Sequence, residues 1–146
     1  MKTFALCMAS ILFLTVSKSF SQYGTLDPSF DGDGMVTTDF SGNNDEAFAV
    51  AAQPDGKIVA AGYSSNGIDN DFAVSRYNDD GSLDNTFGVG GTVTTDFGSG
   101  DDYAFSVTLQ LDGKIVAAGY SSNGANYDFA VARYNYDAGI NITASH

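Results

Sequence analysis

The sequence has no tryptophan, one cysteine (Cys7), one histidine (His146) and two prolines in 146 residues. A single cysteine excludes an internal disulfide and a cysteine-based zinc site, and a lone imidazole at the last position removes the usual base of serine and cysteine nucleophiles. Positive charge is scarce too: six Lys and Arg stand against 18 Asp and Glu, for a formal net charge of −12. A protein of this sign repels nucleic acid phosphates and anionic lipid, so neither is an expected partner without a bridging cation. What remains, 43% apolar and 16% charged residues, has the composition of one soluble globular domain with a core.

The start of the chain reads as an address. Met1 and Lys2 precede a mostly apolar run from Phe4 to Val16, far short of the roughly 20 residues that span a bilayer. Ser19 and Ser21 put small residues where a signal peptidase reads, so residues 1–22 are expected to be a signal peptide, with cleavage before Gln22 or close to it. The expected location is secreted or cell-surface, with no membrane insertion after cleavage. Removal of this segment also removes Cys7 and two lysines, leaving a cysteine-free chain with a net charge near −14.

The dominant signal is an internal repeat. Residues 24–80 align with 81–137 without a gap, with 36 identities in 57 positions. DGKIVAAGYSSNG stands verbatim at Asp55–Gly67 and Asp112–Gly124, and VTTDF begins at both Val36 and Val93. Each unit reads as four short strands: Met35–Phe40, Ala47–Gln53, Lys57–Ser64 and Asp71–Tyr77 in the first, with Thr92–Phe97 and Ala104–Gln110 opening the second. Pro54, Asp55 and Gly56 supply a hairpin turn, and no segment after the leader holds a helical period. Along the third and fourth strands, Val59 and Ala61 face opposite to Ala60 and Gly62, and Phe72 and Val74 opposite to Ala73 and Tyr77. Both faces are apolar, as in sheets covered on both sides, and the small residues Ala60, Ala61 and Gly62 suit crowding between neighbouring sheets. The expected fold is all-β, with two tandem four-stranded antiparallel units like propeller blades, 24–80 and 81–137, and an irregular tail, 138–146.

QPDGKIVAAG at Gln53–Gly62, DFAVSRYN at Asp71–Asn78 and GSLDNTFG at Gly81–Gly88 resemble the delta-60 repeat, a secreted bacterial family of unknown function. The resemblance implies export, repetition and a β-propeller fold, and it implies no catalytic residue. Two blades do not close a propeller, so further blades, self-association or an incomplete propeller are the open possibilities.

Candidate sites follow from the acidic turns. Asn78, Asp80 and Asp84 are a calcium candidate, as hard oxygen ligands at short spacing, against the alternative of turn residues bonded to their own backbone. Asp27, Asp31 and Asp33 form a similar cluster that the second repeat replaces in part with glycine. Arg76 and Arg133 are expected to pair with aspartates of an adjacent strand or blade, or to donate to loop carbonyls, and Lys57 and Lys114 to be solvated. No cofactor is expected, nor an enzyme. A carboxylate-pair glycosidase would need Asp55, Asp69 or Asp71 to approach other acids in the fold, and verbatim repetition argues for structural duty instead. Tyr63, Tyr120, Tyr127 and Tyr134 could stack on sugar rings or pack in the core. The expected role is a non-catalytic extracellular structural or binding scaffold, with a cell-surface glycan or protein as ligand. The alternative is a fragment of a carbohydrate-active propeller protein whose catalytic residues lie outside this chain.

Overall fold

The computed structural model of the chain describes residues 24–98 and 100–135. The expected leader, 1–22, and tail, 138–146, lie outside these residues. Among the described residues seven strands occur in the order β1 (Asp45–Ala52), β2 (Ile58–Ser65), β3 (Asn70–Tyr77), β4 (Thr92–Thr95), β5 (Asp102–Leu109), β6 (Ile115–Ser122) and β7 (Tyr127–Tyr134). They form two antiparallel meanders, β1-β2-β3-β4 and β5-β6-β7, so the described residues are all-β. Among the described residues there is no helix long and apolar enough to cross a membrane. The turns follow the sequence signals: Gly56 and Gly113, at φ 89° and 83°, take the left-handed conformation that closes each hairpin.

The sheets are offset from the sequence repeats. β4 belongs to the second repeat by sequence, yet it completes the first sheet, pairing Phe72 with Thr95 and Val74 with Val93. Its counterpart Met35–Phe40, expected as a strand, forms no ladder among the described residues. A strand is stabilised by a neighbouring edge, and only β4 finds one, on β3. Residues 36–40 instead border a groove of 310 Å³ over the outer face of the first sheet. There the Thr38 hydroxyl lies 2.7 Å from that of Tyr77, just as Thr95 lies 2.9 Å from Tyr134 one repeat later.

The core lies where one sheet stacks on the other. Strand alternation gives each sheet a face of large side chains and a face of small ones. The large face of the first sheet, with Val59 and Ala61 from β2 and Phe72 and Val74 from β3, packs on the small face of the second, with Ala104, Ala117 and Ala130. Ile115 and Phe87 fill the same cluster. Each fully buried Val, Ile or Phe contributes roughly 1.5–3 kcal/mol by this transfer from water.

A β-bulge in each innermost strand explains a glycine that looked like a blade spacer. The β1–β2 register shifts between Ala47 and Ala49, and β5–β6 shifts between Ala104 and Ser106. The extra residues, Phe48 and Phe105, stack on each other at 5.1 Å. Beside the bulge the backbones crowd: a β-carbon on Gly62 would sit 1.8 Å from the Glu46 carbonyl oxygen, and one on Gly119 would sit 1.7 Å from that of Tyr103. These glycines are required by their own sheet, not by the neighbouring one. Gly62→Ala is therefore expected to cost about 3 kcal/mol or more in a denaturant titration, whereas Gly98→Ala, where nothing lies within 4 Å, stays close to the parent.

Candidate functional site

Asp84 is reached by cationic side chains of the protein itself. Its Oδ2 accepts a hydrogen bond from Arg76 Nε at 2.8 Å and lies 3.3 Å from Lys57 Nζ. Arg76 is completely buried, with its guanidinium 4.9 Å over the Phe87 ring and a bond of 3.1 Å to the Thr86 hydroxyl. Asn78 Oδ1 accepts from Lys57 at 2.8 Å, and Asp80 Oδ1 takes the amide and hydroxyl of Ser82. The Ser82 bonds hold the Asp80 carboxyl below its ordinary range. The sequence-derived trio Asn78, Asp80 and Asp84 is thus divided between an ion pair, a lysine and a turn. Arg76 pairs with an aspartate as expected, while Lys57 is engaged and not simply solvated.

The remaining candidates are scattered in the same way. Asp27 Oδ1 accepts the amide and hydroxyl of Ser29, and Asp33 Oδ1 accepts the Met35 amide, each an internal turn. Asp55 and Asp69 lie in turns at opposite ends of β2, an eight-residue strand apart, while Asn66 Nδ2 donates to both Asp69 and Asp71. Arg133, the counterpart of Arg76, is exposed and makes a bond of 3.5 Å to Gln110. Lys114 pairs with Asp112 beside it.

What the fold does bring together is a different set. Asp71 at the start of β3, Asp96 after β4 and Asp102 at the start of β5 offer carboxylate oxygens that all lie within 4.8 Å of one another. Two of the three are oriented by hydrogen bonds to Oδ2: the Phe97 amide reaches Asp102 at 2.8 Å, and Asn66 Nδ2 reaches Asp71 at 3.1 Å. The Oδ1 atoms of Asp71 and Asp102 are buried without a hydrogen-bond partner. Burial first, then the charges of Asp96, Asp69 and Asp102, hold the Asp71 carboxyl above its ordinary range in spite of the Asn66 bond. Asp96 and Asp102 were not singled out from sequence. The available signal was their recurrence, because Asp39, Asp45 and Asp128 stand one repeat away from Asp96, Asp102 and Asp71.

A row of aromatic rings runs from Tyr63 to Tyr103 at 4.7 Å, Tyr120 at 5.3 Å and Tyr127 at 4.7 Å. Most of these rings meet edge to face or tilted, so they pack on one another. The Glu46 carboxylate accepts the Tyr63 hydroxyl at 3.0 Å and, with burial, raises its pKa. Tyr134 lies apart from the row, at Thr95, and burial raises its pKa as well.

Sequence comparison agrees with this architecture. A family described as a beta-propeller domain of unknown function (DUF5122) matches residues 53–87 and 110–137, which include β2–β3 and β6–β7. No curated protein matches the chain significantly. Over these residues, fewer than half of the chain, the sequence is similar to that family, and the two antiparallel sheets are consistent with partial propeller blades.

Asp84 has the clearest electrostatic consequence. Burial would raise its pKa, but the Thr86 hydroxyl and amide, the Arg76 charge and the Lys57 bond outweigh it and lower the value to about 2. A carboxyl with a depressed folded-state pKa contributes stability above its unfolded pKa, near 4, and loses it as pH falls towards 2. The contribution is about 2 kcal/mol at neutral pH. Asp84→Asn should cost roughly 3–5 kcal/mol at pH 7 by leaving Arg76 buried without its counter-ion, and denaturation curves between pH 2 and 7 should show the difference from the parent shrinking on the acid side.

Proposed function

We propose that the chain is an exported, non-catalytic scaffold of delta-60-type propeller blades, presenting a structural or binding surface outside the cytoplasm, and that a second copy extends its stack. One observation carries the reading. Phe72 and Val74 are 0% exposed, while their counterparts Phe129 and Val131 are 102% and 61% exposed. The converse holds for the small face: Ala104, Ile115 and Ala117 are fully buried, whereas Ala47, Ile58 and Ala60 of the first sheet are not. Each molecule therefore offers, on its two ends, both halves of the contact it makes inside.

A copy stacked head to tail repeats that contact. Its Met35–Thr38 takes the place on β7 that β4 takes on β3, with Thr38 opposite Phe129 and Val36 opposite Val131 by the internal register. Charge is matched as well. Asp27 is held by Ser29 as Asp84 is held by Thr86, and it stands one repeat before Asp84, the partner of Arg76. On this stacking Asp27 meets Arg133 of the neighbouring copy. Exposed apolar faces and an unpaired strand edge both favour such association, which gives a ring if its rotation closes and an open row if not.

The purified chain should scatter light as a species heavier than one copy across a wide dilution range. Val36→Cys combined with Val131→Cys should form a disulfide between copies, and Arg133→Asp should weaken assembly, with Asp27→Arg restoring it. A sharply melting monomer with no cross-link at these positions overturns the reading.

A further inference from the structure

We infer that Asp71, Asp96 and Asp102 form a calcium site at the junction of the two sheets. Two independent features lead there. The first is geometric: ligand oxygens about 2.3–2.6 Å from a calcium ion lie up to about 5 Å apart, and the three carboxylate oxygens lie within 4.8 Å of one another. The second is an unmet demand. Asp102 is 0% exposed, and its Oδ1, like that of Asp71, is buried with no hydrogen-bond partner. A buried carboxylate is tolerated when paired or when it coordinates a metal.

No basic side chain among the described residues supplies the missing charge. Arg76 and Lys57 are spent on Asp84, Lys114 on Asp112, and Arg133 bonds Gln110. The second oxygens of Asp71 and Asp102 are tied to Asn66 and to the Phe97 amide, which fixes both carboxylates before any ion arrives. Asp96 is exposed and opens the site to solvent, so water can complete the coordination shell. Hard oxygen ligands with no sulfur or imidazole select an alkaline-earth ion over a transition metal.

The three ligands come from both sheets, so an ion here clamps one blade to the next. The outer ends carry the matching halves. Asp45 Oδ2 accepts the Phe40 amide at 3.0 Å and its Oδ1 is buried and unpartnered, as in Asp102, while Asp128 Oδ2 accepts Asn123 Nδ2 at 3.1 Å, as Asp71 accepts Asn66. If copies stack as proposed above, Asp128 of one meets Asp39 and Asp45 of the next and makes a second site. That extension rests on the proposed stacking; the site within the chain does not.

The test is thermal melting and calorimetric titration of the purified chain with calcium chloride, against a chelator and against sodium chloride at equal ionic strength. With three protein ligands, a dissociation constant of roughly 10⁻⁴–10⁻³ M is expected, and about 10 mM calcium should raise the melting temperature by about 5–10 °C beyond the sodium control. Asp71→Asn and Asp102→Asn should each abolish that rise and melt above the parent in chelator, because the amide keeps its oriented bond and removes like-charge repulsion. Asp80→Asn should leave the calcium response intact. Should Asp102→Asn fail to fold, Asp96→Asn at the exposed ligand gives the same reading, with at least a tenfold weaker calcium affinity. No heat and no melting shift beyond sodium, or an undiminished shift in Asp71→Asn and Asp96→Asn, overturns the site. Calcium binding by a strictly monomeric chain would uphold the site while defeating the stacking.

Discussion

The structure depends on an asymmetry between the two faces of each sheet. Sheets that stack at roughly 10 Å leave room for one large layer against one small layer. Two large faces would force the sheets apart, and two small faces would leave voids, each costly. Phe72 and Val74 against Ala104, Ala117 and Ala130 satisfy the constraint. The contact is thereby directional: it has a donor face and an acceptor face, and a stack built from it has two unlike ends. The open groove beside residues 36–40 and the bare ring of Phe129 are those ends.

The loop from β3 to β4 does more than connect two strands of the first sheet. Asp84 bonds Arg76, the Asp84 amide bonds the Arg76 carbonyl, and the Arg76 amide reaches the Gly91 carbonyl. Phe87 then seals the guanidinium from above and touches the ring of Tyr134 in the second sheet. A buried arginine of this kind adds little net stability by itself, because desolvation offsets much of the attraction. Its effect is positional: it ties the last residues of β3 to the loop that delivers β4, so the fourth strand arrives at one register.

Most of the strand content was legible, because β-branched runs, glycine turns and verbatim repetition all agreed. Face assignment was legible too, since period-two alternation puts Phe72 and Val74 on one side whatever the sheet does. The offset was not. Val36 and Val93 begin the same VTTDF, yet only the second copy lies on a strand edge, and no local pattern records which edge is available. The site failed to show for a related reason. Asn78, Asp80 and Asp84 are close in sequence, and that nearness suggested a cluster; Arg76 and Lys57, which claim Asp84, are found only in space. Asp71, Asp96 and Asp102 sit on separate segments that stacking brings together, and their trace was recurrence across the repeat, not spacing. Gly62 was recognised as a crowded position, but its crowding partner is the bulged neighbour strand.

The offset between repeat and sheet bears on the order in which the chain can fold as it emerges from its N-terminal end. β1, β2 and β3 are joined by tight turns and can pair as soon as they are free, but the outer edge of β3 must wait for Thr92–Thr95, which lies beyond the whole linker. Until then the first sheet is a three-stranded ribbon with a live edge, the same condition in which β5-β6-β7 stands. A row of such units therefore grows by a rolling hand-off, in which every newcomer first finishes its predecessor and only then begins its own sheet. Duplicating the unit lengthens the row without inventing a new junction, because the instruction for joining is carried at the front of each copy.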